Sequence, residues 1–182
     1  MPGKTLLVQL FAGWIAFLAL CTTPAPAQVH DGKEITKITL LADTSAIIPG
    51  KEFSVGVHMQ FEPGWHTYWQ HAGDLGDPIA VRWTLPEGFS AEELQWPLPE
   101  AYLAEETFLN YVYHDEVLLI AKVTAPKELP AETTLTAHVS WQVCDKICIP
   151  AEREVSLTLP AAATAQPANS ELFTKYRAQL PQ

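Results

Sequence analysis

Apolar and polar side chains alternate along most of this chain. In EFSVGVHMQF (52–61), every second residue from Phe53 to Phe61 is apolar, and the residues between them are mainly polar. The same period of two recurs in residues 79–85, 117–123, 135–143 and 155–159, and more weakly in residues 35–43. This period is typical of β-strands that have one packed face and one solvated face. The pattern therefore predicts a protein built mainly from strands.

Short turn signals separate the predicted strands. Proline and glycine occur together in IPGK (48–51), EPGW (62–65) and LPEG (85–88), and AGDLGDP (72–78) is rich in glycine and aspartate. Glycine reaches positive φ values and proline fixes φ, so such segments favour turns. About seven short strands with frequent turns predict an all-β fold, an antiparallel β-sandwich.

The C-terminal region has a different composition. The segment PAAATAQPA (160–168) has the composition of a linker. The segment NSELFTKYRAQL (169–180) predicts a short helix with Asn169 or Ser170 as its N-cap. We therefore expect the sandwich to end near residue 160.

The N-terminal region has the features of a cleaved signal peptide. An uncharged apolar run, Leu6–Leu20, is followed by the tripeptide APA, which fits the small-x-small rule for cleavage before Gln28. An uncleaved anchor is the alternative, although a membrane span needs roughly 20 residues. A lipidated Cys21 is disfavoured because the large side chain of Leu20 precedes it. The predicted organisation is a signal peptide (1–27), a sandwich domain (28–160) and a linker with a short helix (161–182).

The net negative charge and the predicted export of the chain limit the classes of function that it can have. The chain carries 11 Lys and Arg against 21 Asp and Glu, a formal net charge of −10. No basic patch occurs, which argues against nucleic acid as a partner. Export to an oxidising compartment allows disulfides, and cleavage of the signal peptide would leave only Cys144 and Cys148 to form one. No small-molecule cofactor and no metal are predicted.

The two remaining cysteines lie in SWQVCDKICIPAE (140–152). Cys144 has the polar-face parity of its strand, because the apolar residues from Val139 to Val143 are odd-numbered. Four extended steps would separate the two Cα atoms by roughly 13 Å, whereas a disulfide needs about 4.4–6.8 Å. A disulfide therefore requires a turn, and residues 145–147 have the length of a three-residue hairpin loop. Such a bridge closes a small loop, stabilises little, and on an exposed hairpin is open to thiol attack, which favours a redox role.

Three other interpretations of the pair stay open. The disulfide can be a structural clip in a non-catalytic interaction domain. The cysteines can bind Cu(I) or Zn together with one histidine brought near by folding. The candidate histidines are His66, His71, His114 and His138. A nucleophilic cysteine would need a partner histidine that the sequence does not identify, and a second cysteine close by would quench it.

Four segments carry further motifs, in the order GWHTYW within residues 62–89, LQWPLPE (94–100), NYVYHDEVLLIAKV (110–123) and WQVCDKICIPAE (141–152). Behind a signal peptide, this series resembles the N-terminal periplasmic domain of the DsbD family, in particular its ScsB branch (suppressor for copper sensitivity). The resemblance covers about residues 35–160. The three-residue gap between the cysteines matches the ScsB-like branch and not the wider gap of the DsbD domain.

The resemblance implies an immunoglobulin-like β-sandwich in the periplasm. It implies that Cys144 and Cys148 take electrons from a membrane-embedded donor of the DsbD/CcdA type and pass them to thioredoxin-fold proteins. The implied activity is thiol:disulfide interchange, as a component of a protein-disulfide reductase. The residues themselves, and not the resemblance, make Cys148 the predicted attacking sulfur, because the tight hairpin and Pro150 leave it near the mouth of the loop. A family member would continue into a membrane domain, so we expect either a fragment or a separate electron donor. Disulfide-isomerase reduction, copper tolerance and cytochrome maturation are all compatible roles.

The resemblance also implies residues that support the pair. The family's cap loop corresponds to LAEETFLNY, which makes Phe108 the candidate shield of the disulfide. Glu105 and Glu106 lie in the same loop, and carboxylates near the sulfurs would disfavour thiolate. His66 and Tyr68 correspond to further neighbours of the pair. For His66, the residues alone favour a surface histidine, and an imidazolium that lowers a thiol pKa is the alternative.

Overall fold

Ten strands and two short helices make up the described part of the chain. The computed structural model describes residues 31–181, so the predicted signal peptide and Cys21 lie outside the described residues. The elements in chain order are α1 (Gly32–Ile35), β1 (Thr36–Ala42), β2 (Glu52–Phe61), β3 (His66–Gly73), β4 (Ala80–Thr84), β5 (Ser90–Ala91), β6 (Glu100–Ala104), β7 (Phe108–His114), β8 (Glu116–Thr124), β9 (Glu132–Cys144), β10 (Cys148–Pro160) and α2 (Ser170–Arg177).

The strands form two antiparallel sheets. The first sheet has the order β1-β2-β8-β5. The second has the order β10-β9-β3-β7-β6, and β4 also pairs with β9. This arrangement confirms the predicted immunoglobulin-like β-sandwich with a short C-terminal helix.

The core lies between the two sheets and follows the alternation of the sequence. Most apolar residues of β2 and the odd-numbered residues of β9 from Leu135 onward are buried in one cluster, which includes Val55, Val57, Met59, Leu135, Val139 and Val143. Trp141 belongs to the same cluster, and its indole N–H donates to the Thr36 hydroxyl at 3.1 Å. Burial of each large aliphatic side chain contributes roughly 1.5–3 kcal/mol. The sandwich is therefore held by its apolar core, whether or not the cysteines are joined.

The C-terminal helix α2 packs on the outside of the first sheet. Phe173 is fully buried, and a Cβ at Gly56 of β2 would lie 3.2 Å from its ring and 2.5 Å from Leu118. The helix begins at Ser170, directly after the predicted N-cap Asn169, and ends at Arg177, before the predicted end at residue 180. Asn169 occupies the N-cap position, but its side chain makes no capping hydrogen bond and instead donates to the Ala42 carbonyl at 2.8 Å. Asn169 holds the predicted N-cap position, but the capping hydrogen bond is absent because its backbone is left-handed (φ 51°) and not in the extended conformation usual for an N-cap.

The segment before α2 runs along the sandwich. Ala161 and Pro167 form isolated β-bridges with Ile47 and Thr44, and the Ser45 N–H donates to the Gln166 carbonyl at 2.9 Å. The segment has the composition of a linker and yet is fixed by backbone hydrogen bonds. The domain boundary drawn at residue 160 stays a prediction.

A change of strand partners in the second sheet creates the site. The start of β3 pairs with the end of β9, where His66 lies opposite Cys144. Further along β9, the residues from Thr136 to Ser140 pair with β4 instead. Between these two ladders β3 bulges, because its register with β7 shifts between Tyr68 and Gly73. The cysteine end of β9 therefore lies beside the start of β3, just before β3 parts from β9.

Candidate functional site

The two cysteines form a disulfide at the end of a long hairpin. The strands β9 and β10 pair over their whole lengths of 13 residues, and the last pair is Cys144 opposite Cys148. The sulfurs are bonded, and the Cα atoms are 4.2 Å apart. Residues 145–147 form the loop, in which the Asp145 N–H donates to the Ile147 carbonyl at 3.1 Å. The predicted three-residue hairpin loop is confirmed.

The two sulfurs differ sharply in accessibility. Cys148 is exposed, whereas only 1% of Cys144 is exposed. The alternation along β9 correctly predicted that Cys144 lies on the face opposite to Trp141 and Val143. The expectation that this face leaves both cysteines open to thiol attack was wrong for Cys144. The outer face of the sheet is not solvated there, because Cys144 belongs to a second small cluster with Tyr68, Ala72 and Val112.

Tyr68 covers the buried sulfur. Its hydroxyl donates to Sγ of Cys144 at 3.2 Å and lies 3.8 Å from Sγ of Cys148. Tyr68 itself is only 3% exposed, and this burial is the main cause that raises its pKa. The hydroxyl therefore keeps its proton at neutral pH and acts as a donor toward the sulfurs.

A loop between β3 and β4, residues 74–78, lies over Tyr68, and we call it the covering loop. Gly76 has a φ of +89°, and a Cβ on it would lie 2.2 Å from the nearest carbon of the Tyr68 ring. Only glycine fits this close approach without displacing the ring. The loop is held at one end by Asp74, which accepts from the Leu109 N–H at 2.9 Å. At the other end the Asp77 N–H donates to the Gln142 side chain at 3.2 Å.

His66 is a buried member of the site. It is 5% exposed, and its ring centroid lies 4.9 Å from that of Tyr102, 5.5 Å from that of Tyr68 and 5.4 Å from that of His114. The prediction of a surface histidine was wrong, because β3 is an inner strand here and Tyr102 of β6 reaches over it. Desolvation, followed by the nearby His114, lowers the pKa of His66 to about 4, although Asp145 opposes the shift. The neutral ring argues against the imidazolium that the alternative required.

The burial of His66 predicts a pH dependence of stability. The pKa of His66 is near 6.5 when unfolded and about 4 when folded, so the unfolded chain binds the extra proton between these values. Stability is therefore full above pH 6.5 and is lost as the pH falls. We expect the free energy of unfolding of the oxidised protein to drop by roughly 2 kcal/mol more in the wild type than in His66→Phe between pH 7 and pH 4.5, measured by urea unfolding. His71→Phe, at an exposed position of β3, should keep the wild-type slope. Equal slopes for all three proteins would contradict the assignment.

The cap-loop candidates lie at the β6–β7 turn. Glu105 and Glu106 are exposed and have positive φ values of 50° and 56°, and the Thr107 N–H closes the turn onto the Ala104 carbonyl at 3.0 Å. Phe108 is half-buried and pairs with Ala104 at the start of β7. The residue in hydrogen-bond contact with the buried sulfur is Tyr68. The shielding role of Phe108 and the electrostatic roles of Glu105 and Glu106 stay predictions.

Gln142 and Tyr102 were not predicted as residues of the site, and His114 was considered only as a possible metal ligand. Gln142 places its side-chain oxygen 3.8 Å from Sγ of Cys144. Gln142 is two residues before Cys144 and therefore lies on the same face of the strand, which the sequence alone could have indicated. Tyr102 and His114 reach the site through strand pairing between distant parts of the chain. Local sequence patterns carry no signal for that pairing.

The described residues were also searched for metal-binding groups and membrane spans. Between residues 31 and 181, no three side chains of His, Cys, Asp or Glu are grouped so as to hold a metal ion. In the same range, no helix has the length and apolar character needed to cross a membrane.

Comparison with known proteins points to one family. The family model described as "Thiol:disulfide interchange protein DsbD, N-terminal" matches residues 37–160. The crystal structure of the N-terminal periplasmic domain of ScsB from Proteus mirabilis is 22% identical, with a TM-score of 0.57, over 82% of this chain and 56% of that chain. The N-terminal domain of DsbD from Neisseria meningitidis, in the reduced form, is 15% identical, with a TM-score of 0.40, over 77% of this chain and 96% of that chain. No curated protein sequence matches the chain. The ScsB likeness supports the same fold, and this chain spans little more than half of that structure.

Proposed function

The chain belongs to the family of DsbD N-terminal domains, and from this premise we propose that it works in the periplasm as the electron-passing component of a protein-disulfide reductase. Cys144 and Cys148 are the proposed redox pair. The proposed electron donor is a membrane-embedded protein of the DsbD/CcdA type, and the proposed acceptors are thioredoxin-fold proteins. The domain needs no small-molecule cofactor for this chemistry.

The observation that carries the proposal is the unequal exposure of the two sulfurs in a disulfide that contributes little to the stability of the fold. Cys148 is exposed and Cys144 is buried. The bridge closes a loop of only three residues at the end of a 13-residue ladder, so on the chain-entropy model it adds little to stability. Exposed disulfides of this kind tend to be labile and catalytic. One open sulfur beside one protected sulfur is the arrangement that a two-step exchange requires.

The proposed reaction proceeds through a mixed disulfide. In the reduced domain, the Cys148 thiolate attacks one sulfur of a partner's disulfide, and the partner's other sulfur leaves as a thiolate. Cys144 then attacks Sγ of Cys148, and the partner's remaining sulfur leaves. Two electrons and two protons pass to the partner, and the Cys144–Cys148 disulfide is restored. Reduction by the donor is the same sequence in reverse, and it begins with attack on the exposed Cys148 sulfur.

The surface beside Cys148 supports docking of another chain. Ile147 in the hairpin loop is 58% exposed. An open groove of about 410 Å³ lies between the covering loop and β10, and its lining includes Asp77, Gln142 and Pro150. We propose that an extended segment of a partner lies in this groove, where it would run past Pro150, two residues from Cys148.

The equilibrium reduction potential of the pair tests the proposal. The wild-type protein is equilibrated in graded glutathione buffers, trapped by alkylation and weighed by mass spectrometry. We expect a midpoint between roughly −180 and −270 mV, the range of thiol-exchange proteins. A midpoint below about −300 mV would mark a bridge that the glutathione pool does not open, and the structural clip would then be the better interpretation.

A further inference from the structure

Gln142 is a second polar side chain that reaches the buried sulfur. It lies on β9 two residues before Cys144, on the same face of the sheet, with its Oε1 3.8 Å from Sγ. Its backbone is fixed as well, because the Thr67 hydroxyl donates to the Gln142 carbonyl at 2.8 Å. The side chain is therefore presented to the sulfur by two neighbouring strands and the covering loop.

The covering loop determines which end of the Gln142 amide faces the sulfur. The backbone N–H of Asp77 lies 3.2 Å from Oε1 and can only donate. The carbonyl oxygen must therefore point toward Asp77, and this same oxygen is the atom near Cys144. Sγ thus faces a hydrogen-bond acceptor and not the amide's NH₂ group.

The contact between Oε1 of Gln142 and Sγ of Cys144 stabilises the two redox states to different extents. In the disulfide, Sγ of Cys144 carries no hydrogen, so the contact with Oε1 is not a hydrogen bond. In the dithiol, the same sulfur carries a proton that it can donate to Oε1, while the Tyr68 hydroxyl donates to the sulfur. A buried thiol with one donor and one acceptor partner is satisfied in its neutral form.

We propose that Gln142 is the acceptor that holds the Cys144 thiol protonated in the reduced domain and thereby stabilises the dithiol relative to the disulfide. The inference deepens the proposed function and rests on it for its physiological meaning. During exchange, Cys144 loses its proton as its sulfur bonds to Cys148, and the proton passes to the departing partner thiolate. Gln142 therefore keeps Cys144 neutral until the mixed disulfide has formed, and leaves the exposed Cys148 as the sulfur that attacks first.

Two substitutions of Gln142 test this role because they should act in opposite directions. Gln142→Met keeps the size of the side chain and removes the acceptor, so the dithiol–disulfide equilibrium should shift about fivefold toward the disulfide. This factor equals a fall of about 20 mV in the reduction potential. Gln142→Glu keeps an oxygen for the Asp77 N–H and offers a charged acceptor, so the equilibrium should shift at least as far toward the dithiol. The control variants are Gln60→Met and Gln60→Glu, at a half-buried glutamine of the other sheet. They should leave the dithiol–disulfide equilibrium unchanged.

The equilibrium is measured in buffers of reduced and oxidised dithiothreitol, which open even a stable disulfide. The effect of Gln142 is thus obtained whether or not glutathione reduces the wild type, and the wild-type potential alone decides the proposed function. In a Cys148→Ser background, Gln142→Glu should also raise the pH at which Cys144 becomes alkylated. Shifts in the same direction for both Gln142 variants, or no shift in either, would overturn the inference. A loss of packing alone would move both variants in the same direction.

Discussion

A Cys148→Ser variant should react with disulfides far more slowly than a Cys144→Ser variant. Each variant keeps one thiol, and the two thiols differ in burial, since Cys148 is exposed and Cys144 is 1% exposed beneath Tyr68. With the small disulfide 5,5′-dithiobis(2-nitrobenzoate), we expect the Cys148 thiol to react about tenfold or more faster than the Cys144 thiol. With an oxidised thioredoxin-fold protein, Cys144→Ser should accumulate a mixed disulfide, visible on a non-reducing gel. The variant lacks the sulfur that would resolve it.

The double variant Cys144→Ser, Cys148→Ser provides the baseline for both assays. Circular dichroism and urea unfolding should show that each variant is folded, because the main core between the two sheets does not include the bridge. Equal rates for the two single variants would refute the assignment of Cys148 as the attacking sulfur. Faster reaction of the Cys144 thiol would reverse the order of the two steps.

A Gly76→Ala variant should make the buried Cys144 sulfur of the disulfide accessible to small thiols. The new Cβ would lie 2.2 Å from the nearest atom of the Tyr68 ring, so the ring or the covering loop must move. Either movement uncovers Cys144, so that glutathione can attack this sulfur as well as the exposed Cys148, and we expect the rate of disulfide reduction by glutathione to rise about twofold. The overlap should also lower the free energy of unfolding by about 1–3 kcal/mol, as overpacking of a core does.

Gly64→Ala is a close control for this experiment. Gly64 has nearly the same φ as Gly76, 88° against 89°, but a Cβ on it meets nothing within 4 Å. Both variants bear the cost of a side chain at positive φ, about 1 kcal/mol, and only Gly76→Ala disturbs Tyr68. Phe108→Ala, measured alongside, tests the cap predicted from the family resemblance. Equal reduction rates for Gly76→Ala and Gly64→Ala would exclude the covering loop as a shield, and a larger effect of Phe108→Ala would assign the shield to that residue.

The strands and the cysteine hairpin could be predicted because their causes are local. The alternation of apolar and polar residues in β2 and β9 predicts which residues are buried. The short distance between the Cα atoms of a disulfide requires a turn at residues 145–147. Segments such as GWHTYW and VCDKICIP, taken together, identified the family that the comparison confirms. These features depend on neighbours in the sequence, or on motifs that can be read directly from it.

The protection of Cys144 could not be predicted from the alternation of apolar residues, because its causes are distant in the sequence, and only the family resemblance placed Tyr68 near the pair. Parity gives the face of a strand, but it does not say whether another segment covers that face. Tyr68, which covers Cys144, lies 76 residues away in the chain, and it reaches the sulfur only because β3 pairs with the end of β9. His66 was misjudged for the same reason. The capping bond expected of Asn169 is absent because its backbone is left-handed, and its side-chain amide instead donates to the Ala42 carbonyl of β1.

The place of the two cysteines at the last rung of a 13-residue ladder has a kinetic consequence. The backbone hydrogen bonds of β9 and β10 hold the two Cα atoms near 4.2 Å by means that do not involve the sulfurs. When Cys148 is joined to a partner, Cys144 is thus already beside it, and ring closure proceeds at a high effective molarity. A mixed disulfide of the wild-type domain should therefore be short-lived, and in the proposed function this would release each partner quickly and without refolding.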